Sequence, residues 1–407
     1  MATFSNTPRP AYVYEAATDQ WIPVGFGPHT HAVTDVTNAF NTTTVTAKGD
    51  IVVAAGSNNI TRLAAGSNGQ SLVADSTTST GLRYQDSVAA GKNFFVNGGM
   101  DFWQRGTSFT TPAGVYTADR FKATVNGAST YVISRQAAGL NGFQYCYRFQ
   151  RSAGQTYTFG SFIGYAWDPE AMVLLQGKTI TYSFYARVGA NWSPTGGIGV
   201  QLQQGTGAGA HAFSALTGET GVLSGTASGL TTEWQRFSFT GTVASSATEL
   251  RTNISWSPIG TAGANDYIDV TGFQLEIGSV ATHFSRAGGT IQGELAACQR
   301  YYFRTSNDSS FSRFAFGSCE TTTAGVVQLM LPVTMRVAPT AVEWSNLRTT
   351  DLANDYGAPS SVTINTYLNT RNIAVFNVAD TGWTAYRPLY LEANNNAAAH
   401  LAVTAEL

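Results

Sequence analysis

Along most of this chain apolar and polar residues alternate with period two, in short runs broken by Gly, Asn, Ser and Thr. Residues 179–188 (TITYSFYARV) set Ile180, Tyr182, Phe184, Ala186 and Val188 on one side and Thr181, Ser183, Tyr185 and Arg187 on the other. Residues 233–243 (EWQRFSFTGTV) repeat the pattern. Successive side chains of a strand point to opposite faces, so such runs, recurring at roughly ten-residue spacing, predict antiparallel sheets stacked as sandwiches or barrels. Helical spacing is nearly absent, and residues 293–300 (GELAACQR) form one short helix candidate.

The pattern divides the chain into four segments. Residues 1–28 carry Pro8, Pro10 and Pro23 with Tyr12, Tyr14 and Trp21 but little core material. Residues 29–92 are rich in Thr, Ala, Gly and Asn, residues 93–287 are aromatic-rich and sandwich-like, and residues 288–407 form a second β segment. The apolar positions of the second segment (Val45, Ile51, Val52, Val53, Ile60, Leu63, Leu72, Val73 and Leu82) are too sparse for a monomeric core. They call for partner surface, which identical chains can supply.

Composition narrows the function. Of 407 residues only 12% are charged, and 23 Lys plus Arg against 25 Asp plus Glu leave a net charge of -2. Such a chain is a poor electrostatic partner for nucleic acid or an anionic membrane. The 43% hydrophobic content supports real cores. Cys146, Cys298 and Cys319 are odd in number and widely spaced, which gives neither a disulfide framework nor a zinc pattern. The N-terminus lacks a basic start followed by an apolar run, and nothing reaches the roughly 18 apolar residues of a membrane span. The expectation is a protein made in a cytoplasm without membrane insertion.

Residues 46–85 read TAKGDIVVAAGSNNITRLAAGSNGQSLVADSTTSTGLRYQ, that is T-x-K-G-D-hydrophobic, R-L, G-x-N-G-Q-x-L, A-D and G-hydrophobic-x-aromatic. This resembles the repeat-like module of bacteriophage tail fibres and receptor-binding proteins. Residues 28–37 (PHTHAVTDVT) resemble a His-x-His element. Residues 93–108 (NFFVNGGMDFWQRGTS), 118–121 (ADRF) and 266–285 (DYIDVTGFQLEIGSVATHFS) resemble the opening and close of a sandwich like a carbohydrate-binding module of the 4/9 type. Residues 298–303 (CQRYYF), 331–340 (LPVTMRVAPT) and 402–407 (AVTAEL) resemble C-terminal domains of such fibres. The resemblance implies an all-β virion protein synthesised in a host cytoplasm. Residues 1–28 would be a virion-attachment segment docking on a tail or baseplate protein. Residues 29–92 would be a trimeric shaft or collar, followed by two jelly-roll-like β-sandwiches, 93–287 and 288–407.

His29 and His31 lie two apart, on one side of any extended strand. Three chains around a threefold axis would offer six imidazole nitrogens, an octahedral set suited to Fe(II) or Ni(II) rather than tetrahedral zinc. Axial packing of these rings without metal, and exposed loop residues with no special role, are the alternatives. The resemblance implies the metal.

Catalysis has little to stand on. The nearest carboxylate pairs for a glycosidase are Asp168/Glu170, expected in a loop that begins with Trp167, and Asp266/Asp269, which fit loop caps or a structural ion site as well as a dyad, and no nucleophile elbow or zinc-protease motif is present. Binding needs less: sugar rings stack on aromatic faces while amides, carboxylates and Arg bond the hydroxyls. Trp192, Trp167, Trp256, Tyr356 and Trp383 sit in Gly/Pro/Asn-rich contexts, whereas Trp103 and Trp234 lie in motif or alternating contexts that predict core. The expected ligand residues are Trp192, Tyr356, Trp383 and Arg387, with the last segment as receptor-binding tip. The expected function is a non-enzymatic homotrimeric fibre binding host polysaccharide or lipopolysaccharide. A tail-associated polysaccharide-degrading enzyme and a purely structural tail or decoration protein are the alternatives.

Overall fold

The strongest alternating runs fold into two six-stranded antiparallel sheets facing each other. One sheet runs Gln235–Thr242, Thr179–Val188, Tyr267–Ile277, Phe143–Arg151, Tyr131–Leu140 and Ser108–Thr110; the other runs Thr220–Ala227, Ile198–Gly205, Glu249–Trp256, Ser161–Ala166, Lys122–Val125 and Ala113–Tyr116. This is a computed structural model, and it describes residues 11–24, 45–57, 59–86, 91–111, 113–125, 130–158, 160–208, 215–305, 307–351 and 353–406. Among these residues the fold is nearly all β, with two short helices, Pro169–Leu175 and Ile291–Gln299. No helix among them is long and apolar enough to cross a membrane.

Between the sheets the inward set of the period-two reading is borne out, although Thr181 and Ser183 on the opposite face are buried as well. Ile180, Tyr182, Phe184, Ala186 and Val188 are all buried, beside an aromatic cluster in which Phe95 meets Tyr165 at 4.7 Å and Trp167 at 4.8 Å. The opening and closing motifs belong together for a physical reason. Asn93 Nδ2 donates to the carbonyls of Phe273 (2.8 Å) and Ser285 (3.0 Å), while its Oδ1 accepts from the Leu275 amide (3.1 Å). One buried amide thus ties the first residues of the sandwich to its last strand.

The helix candidate is real, with bounds Ile291–Gln299. Thr290 caps it by accepting from the Gly293 amide at 3.0 Å. Gly288 and Gly293 pass so closely that a Cβ on either would lie 2.1–2.2 Å from the other's backbone, so both must be glycine. The helix Pro169–Leu175 contradicts the expectation of a loop there. Asp168 is its N-cap and Pro169 opens its first turn, the usual order for a helix start.

Beyond the second helix a three-stranded sheet (Tyr302–Arg304, His400–Thr404, Ala341–Ser345) packs on a seven-stranded one (Asp355–Gly357, Leu347–Thr350, Pro388–Ala393, Arg313–Cys319, Ala324–Met330, Ile373–Ala379, Ser361–Ile364). Leu347, Phe376, Leu389, Leu391 and Leu401 fill its core. The two sandwiches meet at a polar seam within one unit, Ser87–Leu407. There Glu294 accepts from the amides of Asn97 and Gly288, the Tyr301 hydroxyl donates to Asp168, and Arg120 pairs with Glu406. A pocket of about 410 Å³ beside the seam is lined by Phe94, Tyr165, Trp167, Arg120, Arg300 and Tyr301.

The other unit is Met1–Asp86. Its described residues form three separate hairpins: Ala11–Glu15 with Gln20–Val24, Ile51–Gly56 with Asn59–Leu63, and Gln70–Ala74 with Leu82–Asp86. The fibre-like motif residues pin the last two. Asp50 accepts from the amides of Thr46 (2.9 Å) and Ala47 (2.7 Å) and pairs with Arg62 across its hairpin (3.4 Å). Asp75 pairs with Arg83 at 2.7 Å, and Gln70 Oε1 accepts from the Ser67 amide at 2.8 Å. The motif therefore encodes turns and cross-strand pins rather than a core. Of the nine apolar positions named above, only Val53 is buried.

Candidate functional site

The outer face of the first six-stranded sheet carries one continuous row of polar groups. Asp269, on the central strand, lies directly opposite Arg148 on one neighbour and Arg187 on the other; Arg148 in turn lies opposite Ser134. Both carboxylate oxygens are engaged. Arg148 Nε donates to Oδ1 at 2.7 Å and its Nη2 to Oδ2 at 2.9 Å, while Arg187 Nε donates to Oδ2 at 3.0 Å. Each guanidinium also covers a ring: Arg148 over Tyr267 at 3.6 Å and Arg187 over Trp234 at 4.7 Å. The row therefore runs Trp234, Arg187, Asp269, Arg148, Ser134 across four strands and the residue that precedes a fifth, with Tyr267 beside it.

The face sits inside a curl. The strands that follow Trp234 and that hold Ala138 stand first and fifth in the sheet, roughly 19 Å apart if it were flat. Yet Trp234 Nε1 donates to the Ala138 carbonyl at 2.9 Å. The tip of the hairpin Tyr131–Leu140/Phe143–Arg151 thus bends over the face, and Phe143 meets Tyr185 at 5.4 Å and Phe284 at 4.8 Å. Gly272, at φ +66°, makes this approach possible: a Cβ there would strike both Phe143 and Tyr185 at 2.8 Å. Asp269 is fully buried beneath its arginines, whereas the side chains of Arg148 and Arg187 keep 20% and 25% exposure. Cys146, on the same face, is buried, which pushes its thiol up to about 12 and leaves it inert as a nucleophile.

The expected ligand residues lie in two places. Trp192 is half-buried on the central sandwich, 5.9 Å from the buried Trp256. Tyr356 and Arg387 are brought together in the last domain by Asp351. That carboxylate accepts from the Tyr356 hydroxyl (2.8 Å), Arg387 Nη1 (2.8 Å) and the amides of Ala353 (3.0 Å) and Asn354 (2.7 Å). Its hydrogen bond with Arg387 holds the Asp351 carboxyl well below the usual carboxylate range. Trp383 corrects the expectation. It is 3% exposed and packed in the second core, so its ring has no free face to offer a sugar. Trp383→Ala should therefore cost about 3–5 kcal/mol of stability in denaturant unfolding, without a selective effect on ligand. Trp167 and Trp256 are likewise core residues. His29 and His31 lie outside the described residues, and no cluster of three potential metal ligands occurs among those described.

The paired carboxylates have structural partners. Asp168 caps a helix and takes the Tyr301 hydroxyl, while Glu170 is exposed and pairs with Arg300. Asp266 pairs with the buried Arg151 at 3.2 Å, and Asp269 is the centre of the row above.

Sequence reasoning assigned Trp234 to the core and passed over Arg148 and Arg187. A signal for Trp234 was present. In EWQRFSF it alternates in phase with Arg236 and out of phase with Phe237 and Phe239, which do pack on the core.

No protein-family model matches the chain, and no curated protein does. Solved structures similar to part of it include a protein described under "CBM4 structure and function", at 22% identity over 45% of this chain and 98% of that one, TM-score 0.26. The CBM22-1 xylan-binding domain of Paenibacillus barcinonensis Xyn10C matches at 12% identity over 48% of this chain and 100% of that one, TM-score 0.27. The enzymatically active domain of bacteriophage CBA120 tailspike protein 4 matches at 11% identity over 46% of this chain and 21% of that one, TM-score 0.28.

Proposed function

We propose that this chain is a non-enzymatic, homotrimeric fibre protein of the phage-tail type that binds glycan on a host surface through the curled face of its central sandwich. The observation that carries the reading is the row Trp234–Arg187–Asp269–Arg148–Ser134 with Tyr267 beside it. Half-buried aromatic rings beside fixed hydrogen-bond donors are what a pyranose needs: an apolar face to stack on and donors for its oxygens. Asp269 spends its charge locking both guanidinium planes, so the donors are preorganised and binding orders little. In this reading the N-terminal segment attaches to a tail or baseplate protein. His29 and His31 of three chains hold one Fe or Ni ion in the shaft, and the protein works as part of the virion.

The test is adsorption. Trp234→Ala should fold as a sandwich by circular dichroism yet lose about tenfold or more in binding of labelled protein to host cells, since a stacked ring contributes about 0.5–1.5 kcal/mol per site and three sites multiply the loss. Host polysaccharide incubated with the parent protein should keep its chain length. Shortened polymer would favour the degrading-enzyme alternative. Full binding by folded Trp234→Ala, with binding lost in Arg387→Ala, would move the site to the Asp351–Tyr356–Arg387 cluster.

A further inference from the structure

The charge of the row points to a ligand class. In the five-residue row the single carboxylate, Asp269, faces two guanidinium groups, which leaves a net positive charge. The unspent donors belong mainly to Arg187. Among the described residues its Nε is its one hydrogen-bonding atom engaged by protein, and both terminal amino groups meet no acceptor there; Arg148 retains Nη1. The Arg187 side chain is a quarter exposed and its plane is held by Asp269 and the Trp234 ring. A third arginine, Arg236, lies on the same face, opposite Tyr185, with its Nη2 on Ser183 Oγ at 3.1 Å. The same face carries two carboxylates, Asp269 and the buried Glu276, and Glu276 already pairs with Lys92 at 3.6 Å, so the three arginines keep the face net positive in a chain whose charged content is 12%.

A planar guanidinium with two parallel free N–H groups matches a carboxylate bidentately, and the match is stronger where water is partly excluded. A neutral sugar would leave that charge uncompensated. We propose that the face selects an acidic saccharide, of uronic or sialic type, with the sugar carboxylate seated on the terminal amino groups of Arg187 and the ring against Trp234 or Tyr267. This rests on the glycan-binding reading above and adds the sign and chemical identity of the group recognised.

The experiment uses the full chain and a panel of bacterial capsular polysaccharides, neutral and acidic, the acidic ones offered both native and after reduction of their carboxyls to alcohols. Binding should be confined to native acidic polymers, should fall on carboxyl reduction, and should weaken as salt is raised. Arg187→Gln should lose about 10–100-fold in affinity at unchanged melting temperature, because Arg148 still neutralises Asp269. Arg187→Lys should recover part of the loss, since it restores charge without the planar fork. Equal binding before and after carboxyl reduction, or preference for neutral polymers, would overturn the acidic-ligand proposal while leaving the glycan reading intact. Binding to no polymer of the panel and to no host cell would overturn both. Binding that survives carboxyl reduction but requires phosphate substituents would replace the carboxylate with a phosphate as the recognised group.

Discussion

Glu406→Ala should lower the unfolding free energy of the chain by about 3–5 kcal/mol. Arg120 is 2% exposed and sits where the two sandwiches meet. Its Nη1 pairs with Glu406, its Nη2 donates to the Ala166 carbonyl at 2.8 Å, and its guanidinium lies over the Tyr301 ring at 3.7 Å. Arg105 reaches the other Glu406 oxygen at 3.4 Å and stacks on Tyr302 at 3.6 Å. Removing the carboxylate leaves two largely buried guanidinium groups without their counter-charge, and that desolvated charge cannot be rehydrated while the domains stay docked. Glu406→Gln keeps acceptor geometry for one arginine and should lose less. The measurement is urea unfolding of the two variants against the parent. A loss below about 1 kcal/mol in Glu406→Ala would mean that water reaches the seam and that the pair is no better than a surface one.

This seam shows where sequence reading stops. Residues 118–121 and 402–407 each carry a motif, the first of a sandwich opening and the second of a fibre-like C-terminal domain. That Arg120 and Glu406 meet is not legible, because nothing local couples residues 286 positions apart in sequence. The polar row Trp234–Arg187–Asp269–Arg148–Ser134 has the same character. The phase of the run 179–188 is legible, and it points Arg187 away from Ile180, Tyr182 and Phe184. The partner across the strand depends on sheet order and register, and only these put Arg187, Asp269 and Arg148 side by side. Trp383 failed for another reason. A Gly/Asn-rich neighbourhood marks a loop, but a loop tryptophan still folds inward when apolar neighbours such as Leu389 offer cover. Asp168 and Pro169 could have been recognised as a helix start, since an acidic N-cap followed by proline is a local signal.

Deleting residues 1–86 should convert a species of three times the 43.2 kDa chain mass into a monomer and weaken adsorption to cells about 10²–10⁴-fold. The argument begins with what the first unit leaves uncovered. Its described hairpins are two-stranded, and a two-stranded hairpin is at best marginally stable in water unless its apolar face packs on something. Ile60 and Leu72 are 45% and 42% exposed, and Tyr12, Tyr14 and Trp21 are 52%, 46% and 66% exposed. Identical chains provide identical apolar faces, and a closed ring of three covers each one. The second unit has two complete cores of its own, so it should remain folded after the deletion and retain the affinity of one isolated site for soluble oligosaccharide. What it loses is the linkage of three sites, which makes the second and third binding events intramolecular. Light scattering separates the outcomes. A monomeric mass for the intact chain would remove both the trimer and the avidity. A trimeric mass for residues 87–407 alone would place the assembly surface on the sandwiches instead of the hairpins.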